Sequence, residues 1–192
     1  MITRQTAKLG RLIDELLDVS RIQSDRVEFT FGRLNLAELA REAAGRIQLT
    51  TSEHSIQVEA DPGDLTVVAD RDHLEQVLNN LLTNAIKYAP DGGPIVVRLS
   101  PSADEVMLSV RDRGVGIPTA QREAVFGLFY RSPEPESRHQ GGLGLGLYIS
   151  KEIVTRHGGR IWVECAPDQG SIFFVSLPRV ATSLADPGEQ PE

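Results

Sequence analysis

DHLEQVLNNLLTNAIKY, from Asp72 to Tyr88, carries apolar residues at Leu74, Val77, Leu78, Leu81, Leu82, Ala85 and Ile86. Their spacing of three and four follows a helical period and not the alternation of a strand. Asn80, Asn84 and Lys87 gather on a second strip, within roughly 60° of one another, along one border of that stripe. A solubilising border would hold Glu and Lys. Asn is a weak helix former because its side chain competes for backbone groups. Two Asn beside a buried face therefore call for a reason other than solubility.

Around this central helix the periodicity alternates. A second helix is predicted over 36–48, with Asn35 as its N-cap and Glu38 three residues on. Residues 55–60 and 65–69 read as short strands around the turn Asp61-Pro62-Gly63-Asp64. Asp70 or Asp72 starts the central helix, where negative charge is favoured. Residues 95–99 and 106–111 read as a strand pair, 119–130 contains a short helix, and 145–156 is a third helix closed by Gly158-Gly159. Residues 161–165 and 171–177 are the last two strands. The segment 131–142 has no periodicity and reads as a mobile loop, and 181–192 as a disordered tail. About six strands in consecutive pairs imply antiparallel hairpins, so the expected fold class is an α/β (α+β) two-layer sandwich: a mixed, mostly antiparallel sheet packed on three helices.

At the N-terminus, Ile2, Leu9, Leu12, Ile13, Leu16, Leu17, Val19 and Ile22 form the stripe of a long appended helix over 2–24. It has no preceding partner helix to cover it, so it packs either on its own domain or in an intersubunit bundle. Polar residues after it mark a hinge. The expected domains are 1–24 helix, 25–33 linker, 34–180 main domain and 181–192 tail. With 40% hydrophobic and 24% charged residues, the 192-residue chain reads as an ordinary globular domain plus an appendage. A net charge of −7 gives no electrostatic case for nucleic acid. The single cysteine, Cys165, excludes a disulfide framework or a thiolate metal cluster. No apolar run reaches the ~18 residues of a membrane span, and no signal peptide is recognisable.

Three segments bear on chemistry. Asp112-Arg113-Gly114-Val115-Gly116-Ile117 follows a strand directly. Its glycines let backbone approach a flat ligand, and its carboxylate can accept from the exocyclic amine of adenine but not from the carbonyl of guanine. Taken alone, it is more readily a plain strand-to-loop turn. Gly141-Gly142-Leu143-Gly144-Leu145-Gly146-Leu147 opens a helix whose free N–H groups suit phosphate, or else it is a ligand-free hinge. Asn84 offers a carbonyl oxygen to a hard cation such as magnesium, and Lys87, one turn on, can neutralise a phosphate. Arg131 and Arg138 can do the same, though a solvated loop charge is the simpler reading of each.

In order and spacing these segments resemble the catalytic ATP-binding half of a sensor histidine kinase, of the gyrase, Hsp90, histidine kinase and MutL superfamily. Asp72 to Tyr88 is similar to the N box, Asp112 to Pro118 to the first glycine box, Phe126-Gly127-Leu128-Phe129-Tyr130-Arg131 to the F box and Gly142 to Leu147 to the second glycine box. Residues 11–31 resemble the end of the dimerisation helix and its exit linker. The resemblance covers about 2–178. It implies a Bergerat-type sandwich holding ATP and Mg²⁺ between the central helix and a lid. Asn84 would hold the metal, Lys87 the phosphates, Tyr88 the nucleotide's side and Asp112 adenine, with Gly114 and Gly116 beside it. Phe129 and Arg131 of the F box, and Gly142, Gly144, Leu145, Gly146 and Leu147, would complete the cofactor site. Asn80, with Asn84 and Lys87, is assigned to catalysis. It stands where hydrolysing relatives carry a Glu that activates water, and an amide is no general base. Phosphoryl transfer to a histidine is thus implied, with relay to a response-regulator receiver domain, homodimerisation through the N-terminal helix, and a cytoplasmic location with any membrane attachment outside this chain.

Two departures stand out. None of His54, His73, His139 and His157 is followed by an acid or lies on an N-terminal helix. The family's phosphoacceptor is therefore expected to lie outside a cut-down chain or to have been lost, and the chain is expected to bind ATP without labelling itself. Leu143 replaces the Ser or Thr of many relatives. The rival readings are a non-catalytic adenine-nucleotide-binding scaffold module and an anti-sigma-factor-type serine kinase; the intact site residues and the N-terminal helix weigh against them.

Overall fold

The computed structural model describes residues 10, 13, 16–24, 27–131, 143–166 and 170–179. Gly142, Arg138 and His139, with the rest of 132–142 in the loop expected over 131–142, the tail expected over 181–192, and residues 2–9, 11, 12, 14 and 15 of the N-terminal helix expected over 2–24 lie outside the described residues.

The elements run β1 (Gly32–Asn35), α1 (Leu36–Gln48), β2 (His54–Ala60), β3 (Thr66–Ala69), α2 (Arg71–Tyr88), β4 (Gly93–Pro101), β5 (Glu105–Arg111), α3 (Gly146–Arg156), β6 (Arg160–Cys165) and β7 (Ser171–Pro178). Two 3₁₀ turns, Thr119–Gln121 and Ala124–Phe126, stand where one short helix was expected. Five strands form one sheet in the order β2-β4-β5-β7-β6, and β1 pairs with β3 apart from it. Only β2 and β4 are parallel; β4–β5, β5–β7 and β7–β6 are antiparallel. The sheet is therefore mixed and mostly antiparallel, as the sequence led us to expect.

Alternation dictates the layers. Val97 of β4 pairs with Val110 of β5, which pairs with Phe173 of β7, and all three point into the core. Leu36 and Leu39 of α1, Leu81 and Leu82 of α2, and Ile149 and Ile153 of α3 meet that face, all at most 1% exposed. Local signals start each helix where expected. Asn35 Oδ1 accepts from the N–H groups of Ala37 and Glu38 at 2.9 and 3.3 Å. Asp70 Oδ1 accepts from the His73 N–H at 3.0 Å. Gly158, at φ +72°, ends α3.

The expected β2–β3 hairpin does not form. Asp61 N–H still bonds to Leu99 O beside β4, but the chain then crosses so that Leu36 N–H donates to Leu65 O. That contact brings β3 to β1, with Leu34 opposite Val67. β1 itself replaces part of the expected linker; its four residues offer a single inward apolar group, Leu34, too short a pattern to read. The parallel β2–β4 pair is possible because α2 supplies the crossover.

The N-terminal helix is only half uncovered. Val19 and Ile22, each 6% exposed, join the domain core. Gln76 Nε2 donates to Asp18 Oδ2 at 2.7 Å, and the Arg156 guanidinium donates to Ile22 O at 2.8 Å. Ile13, Leu16 and Leu17 stay about half exposed. Residues 27–31 of the expected linker are docked rather than free: Thr30 N–H donates to Asp70 Oδ2 at 2.7 Å, and the Phe29 ring lies 4.4 Å from that of His73.

Candidate functional site

A cavity of about 450 Å³ opens between the C-terminal half of α2, the start of α3, the ends of β5 and β7, and the segment 115–131. α2 brings Asn80, Asn84, Lys87 and Tyr88 to one wall, as the border strip required. α3 brings Gly144, Leu145, Gly146 and Leu147 to the other, and the floor holds Asp112, Ser171 and Phe173.

Asp112 is 3% exposed. Its Oδ1 accepts from the N–H groups of Gly114 at 2.8 Å and Ser171 at 3.2 Å. Oδ2 has no partner among the described residues, so the floor offers one unsatisfied acceptor. Burial pushes this carboxyl above the usual carboxylate range, because the two N–H donors only partly offset the lost water.

Gly114 does not line the cavity; it stands behind it. A Cβ there would collide with the Tyr88 carbonyl oxygen. Without one, Val115 N–H donates to that oxygen at 3.1 Å and fastens the first glycine segment to the end of α2. Gly144, at φ +74°, lies against Tyr130, whose carbonyl a Cβ would strike.

Features that suit an anion converge here. α3 begins without a side-chain cap, so its first N–H groups are free for a ligand beside Gly146 and Leu147. Lys87 and Arg131 line the same space against one carboxylate, Asp112. Lys87 Nζ donates to Tyr88 Oη at 3.0 Å and lies 4.6 Å from that ring's centroid, which holds it at the cavity wall. The Asn84 carboxamide has no protein partner among the described residues. Asn80 Nδ2 donates to Gly146 O at 3.2 Å and to Ser150 Oγ at 3.3 Å.

Of the expected site residues, Gly116 and Arg131 also line the cavity, whereas Phe129 does not. Phe129 is 54% exposed and holds φ +59°, a backbone that L-residues rarely adopt. Residues not anticipated are Asn79 and Thr83 on α2, Ile117 and Gln121 in the following segment, and Tyr130, whose Oη donates to Gln121 Oε1 at 3.0 Å. Tyr130 was visible within the F-box resemblance. Ser171 and Phe173 gave no local signal, because only the β5–β7 pairing brings them to the floor.

The family described as histidine kinase-, DNA gyrase B-, and HSP90-like ATPase matches residues 69–181. The sensor histidine kinase WalK of Bacillus subtilis is 35% identical over 182 residues, covering 93% of this chain and 30% of the relative. Among solved structures, the catalytic domain of histidine kinase ThkA is 33% identical with a TM-score of 0.69, over 79% of this chain and 97% of that one. ThkA in complex with the response regulator protein TrrA is 29% identical with a TM-score of 0.74, over 95% of this chain and 51% of that one. The chain thus spans under half the length of the curated relatives it matches.

Proposed function

The chain belongs to the histidine kinase-, DNA gyrase B- and HSP90-like ATPase family, as an ATP-binding catalytic domain of the histidine kinase kind, and from that membership we propose that its cavity binds ATP with Mg²⁺ and presents the γ-phosphoryl group to a histidine held elsewhere. The observation that carries this reading is the convergence of Lys87 and the uncapped α3 terminus on one cavity, above a floor where Asp112 Oδ2 has no partner among the described residues. In this reading the α3 N–H groups and Lys87 hold the polyphosphate, and Asp112 accepts from the adenine amine. Asn84 fits a hard cation: it is an oxygen donor with no competing protein partner, and among the described residues no cluster of His, Cys, Asp or Glu offers a rival site. Magnesium, when bound, would neutralise phosphate charge.

No carboxylate other than Asp112 lines the cavity among the described residues, and Asp112 is engaged at the floor. Asn80, an amide on the cavity wall, cannot serve as a base for water, which suits transfer to a protein group. His54 and His157 have both ring nitrogens hydrogen-bonded. His73 is eleven residues from Asn84 along α2, roughly 16 Å away. None of these three lines the cavity, and in this reading the acceptor is brought to it from elsewhere. The exposed Ile13, Leu16 and Leu17 are the surface on which homodimerisation would rest. A response-regulator receiver domain is the proposed onward partner, as ThkA's complex with TrrA suggests by analogy. No helix among the described residues is long and apolar enough to cross a membrane.

The test mixes the purified chain, γ-labelled ATP and a separate fragment bearing an acceptor-histidine helix. Acid-labile label on the fragment is expected. ATP binding without any transfer would refute the kinase reading.

A further inference from the structure

The Asn80 carboxamide can be placed either way round on shape alone. Its neighbours decide the matter. The atom 3.2 Å from Gly146 O must be the NH₂ nitrogen, because a carbonyl only accepts. Oδ1 is therefore the amide atom left without a protein partner among the described residues, on a side chain that lines the cavity one helical turn before Asn84. The second neighbour is Ser150, 0% exposed on the next turn of α3. Its hydroxyl donates to the same Gly146 carbonyl at 2.9 Å. With its proton committed there, Ser150 Oγ keeps a lone pair for Asn80 Nδ2, 3.3 Å away. The three groups close a triangle between α2 and the first turn of α3.

We propose that Ser150 is a positioning residue for metal-nucleotide binding. Its hydroxyl, by accepting from Nδ2, fixes which way round the Asn80 amide sits and so keeps Oδ1 as the oxygen available to a metal-bound nucleotide. Ser150 touches neither nucleotide nor metal; it acts through Asn80. The proposal rests on the Mg-ATP reading above and adds a residue that gave no signal in the sequence, since a serine on a helix's second turn commonly bonds back to its own helix.

Ser150→Ala removes only the hydroxyl. Calorimetric titration of the whole chain with ATP, in Mg²⁺ and again in EDTA, separates the possibilities. The expected result is about five-fold weaker binding in Mg²⁺, the equivalent of one hydrogen bond, with the affinity in EDTA unchanged and recovery of the Mg²⁺ affinity in Ser150→Thr. In an Asn80→Ala background, Ser150→Ala should add nothing. Unchanged affinity in Mg²⁺, an equal loss with and without metal, or a further loss in the Asn80→Ala background would each overturn the proposal. If the unaltered chain binds no ATP under either condition, it is the nucleotide reading itself that fails.

Discussion

Replacing Asp112 with Asn changes one atom's hydrogen-bonding sense and little else. Asn keeps an Oδ1 that can accept from Gly114 and Ser171, at the 2.8 and 3.2 Å now seen. The other position turns from the unpartnered acceptor Oδ2 into an NH₂ donor. A base amine facing it then meets a donor. A hydrogen bond to a charged acceptor contributes about 1.5–3 kcal/mol, so ATP affinity should fall roughly ten- to hundred-fold. Stability should not fall with it. Burial raises the folded carboxyl's pKa above its unfolded value, with the two N–H donors only partly opposing. The folded state thus binds this proton more readily, and the ionised group costs stability increasingly as pH rises through the two values. Because the ionised form is the one burial disfavours, the neutral amide should leave the chain at least as stable. Calorimetry with ATP and GTP, paired with thermal melting, reads both effects. An Asp112→Asn chain that binds ATP as tightly as the parent, with the same preference over GTP, would refute the floor's role.

Asn84→Ala should leave the melting temperature unchanged, because the side chain has no protein partner among the described residues, while abolishing Mg²⁺-dependent ATP binding; unaltered affinity in a metal titration would reject the assignment. Gly114→Ala should cost about 2–4 kcal/mol in urea unfolding, the sum of overpacking against Tyr88 O and loss of the 3.1 Å Val115 bond; a chain of parental stability would show that the close approach is not needed. Asp70 is buried, which alone would raise its carboxyl, but the N–H groups of His73 and Thr30 outweigh that and hold it at about 2 against an ordinary 3.8. Its folded pKa is depressed, so its stabilisation of about 2 kcal/mol is present above pH 4 and lost as pH falls toward 2. Asp70→Ala should lose that amount at pH 7, and the gap to the parent should close at pH 2; a gap independent of pH would contradict it.

What the sequence disclosed follows the range of each signal. The stripe Leu74 to Ala85 became the buried face of α2, and the caps Asn35 and Asp70 sit where local chemistry put them. The border strip Asn80, Asn84 and Lys87 does reach one cavity wall. Pairing was less legible. The run from β2 to β3 looks like a hairpin because each strand alternates well, yet their partners, β4 and β1, are chosen by the core across the crossover. Gly114 and Phe129 illustrate the limit of motif reading. Each lies within a recognised segment, but Gly114 packs behind the wall against Tyr88 and Phe129 points outward. Ser171 and Ser150 carry no motif at all; one arrives through the β5–β7 register and the other through the approach of α3 to α2.

A crystal of the chain grown with Mg²⁺ and a non-hydrolysable ATP analogue tests the central claim most directly. The account predicts the base amine against Asp112 Oδ2, the phosphates at the start of α3 near Gly144 and Gly146, and the metal touching Asn84. Nucleotide density anywhere other than the groove between α2 and α3 would contradict it.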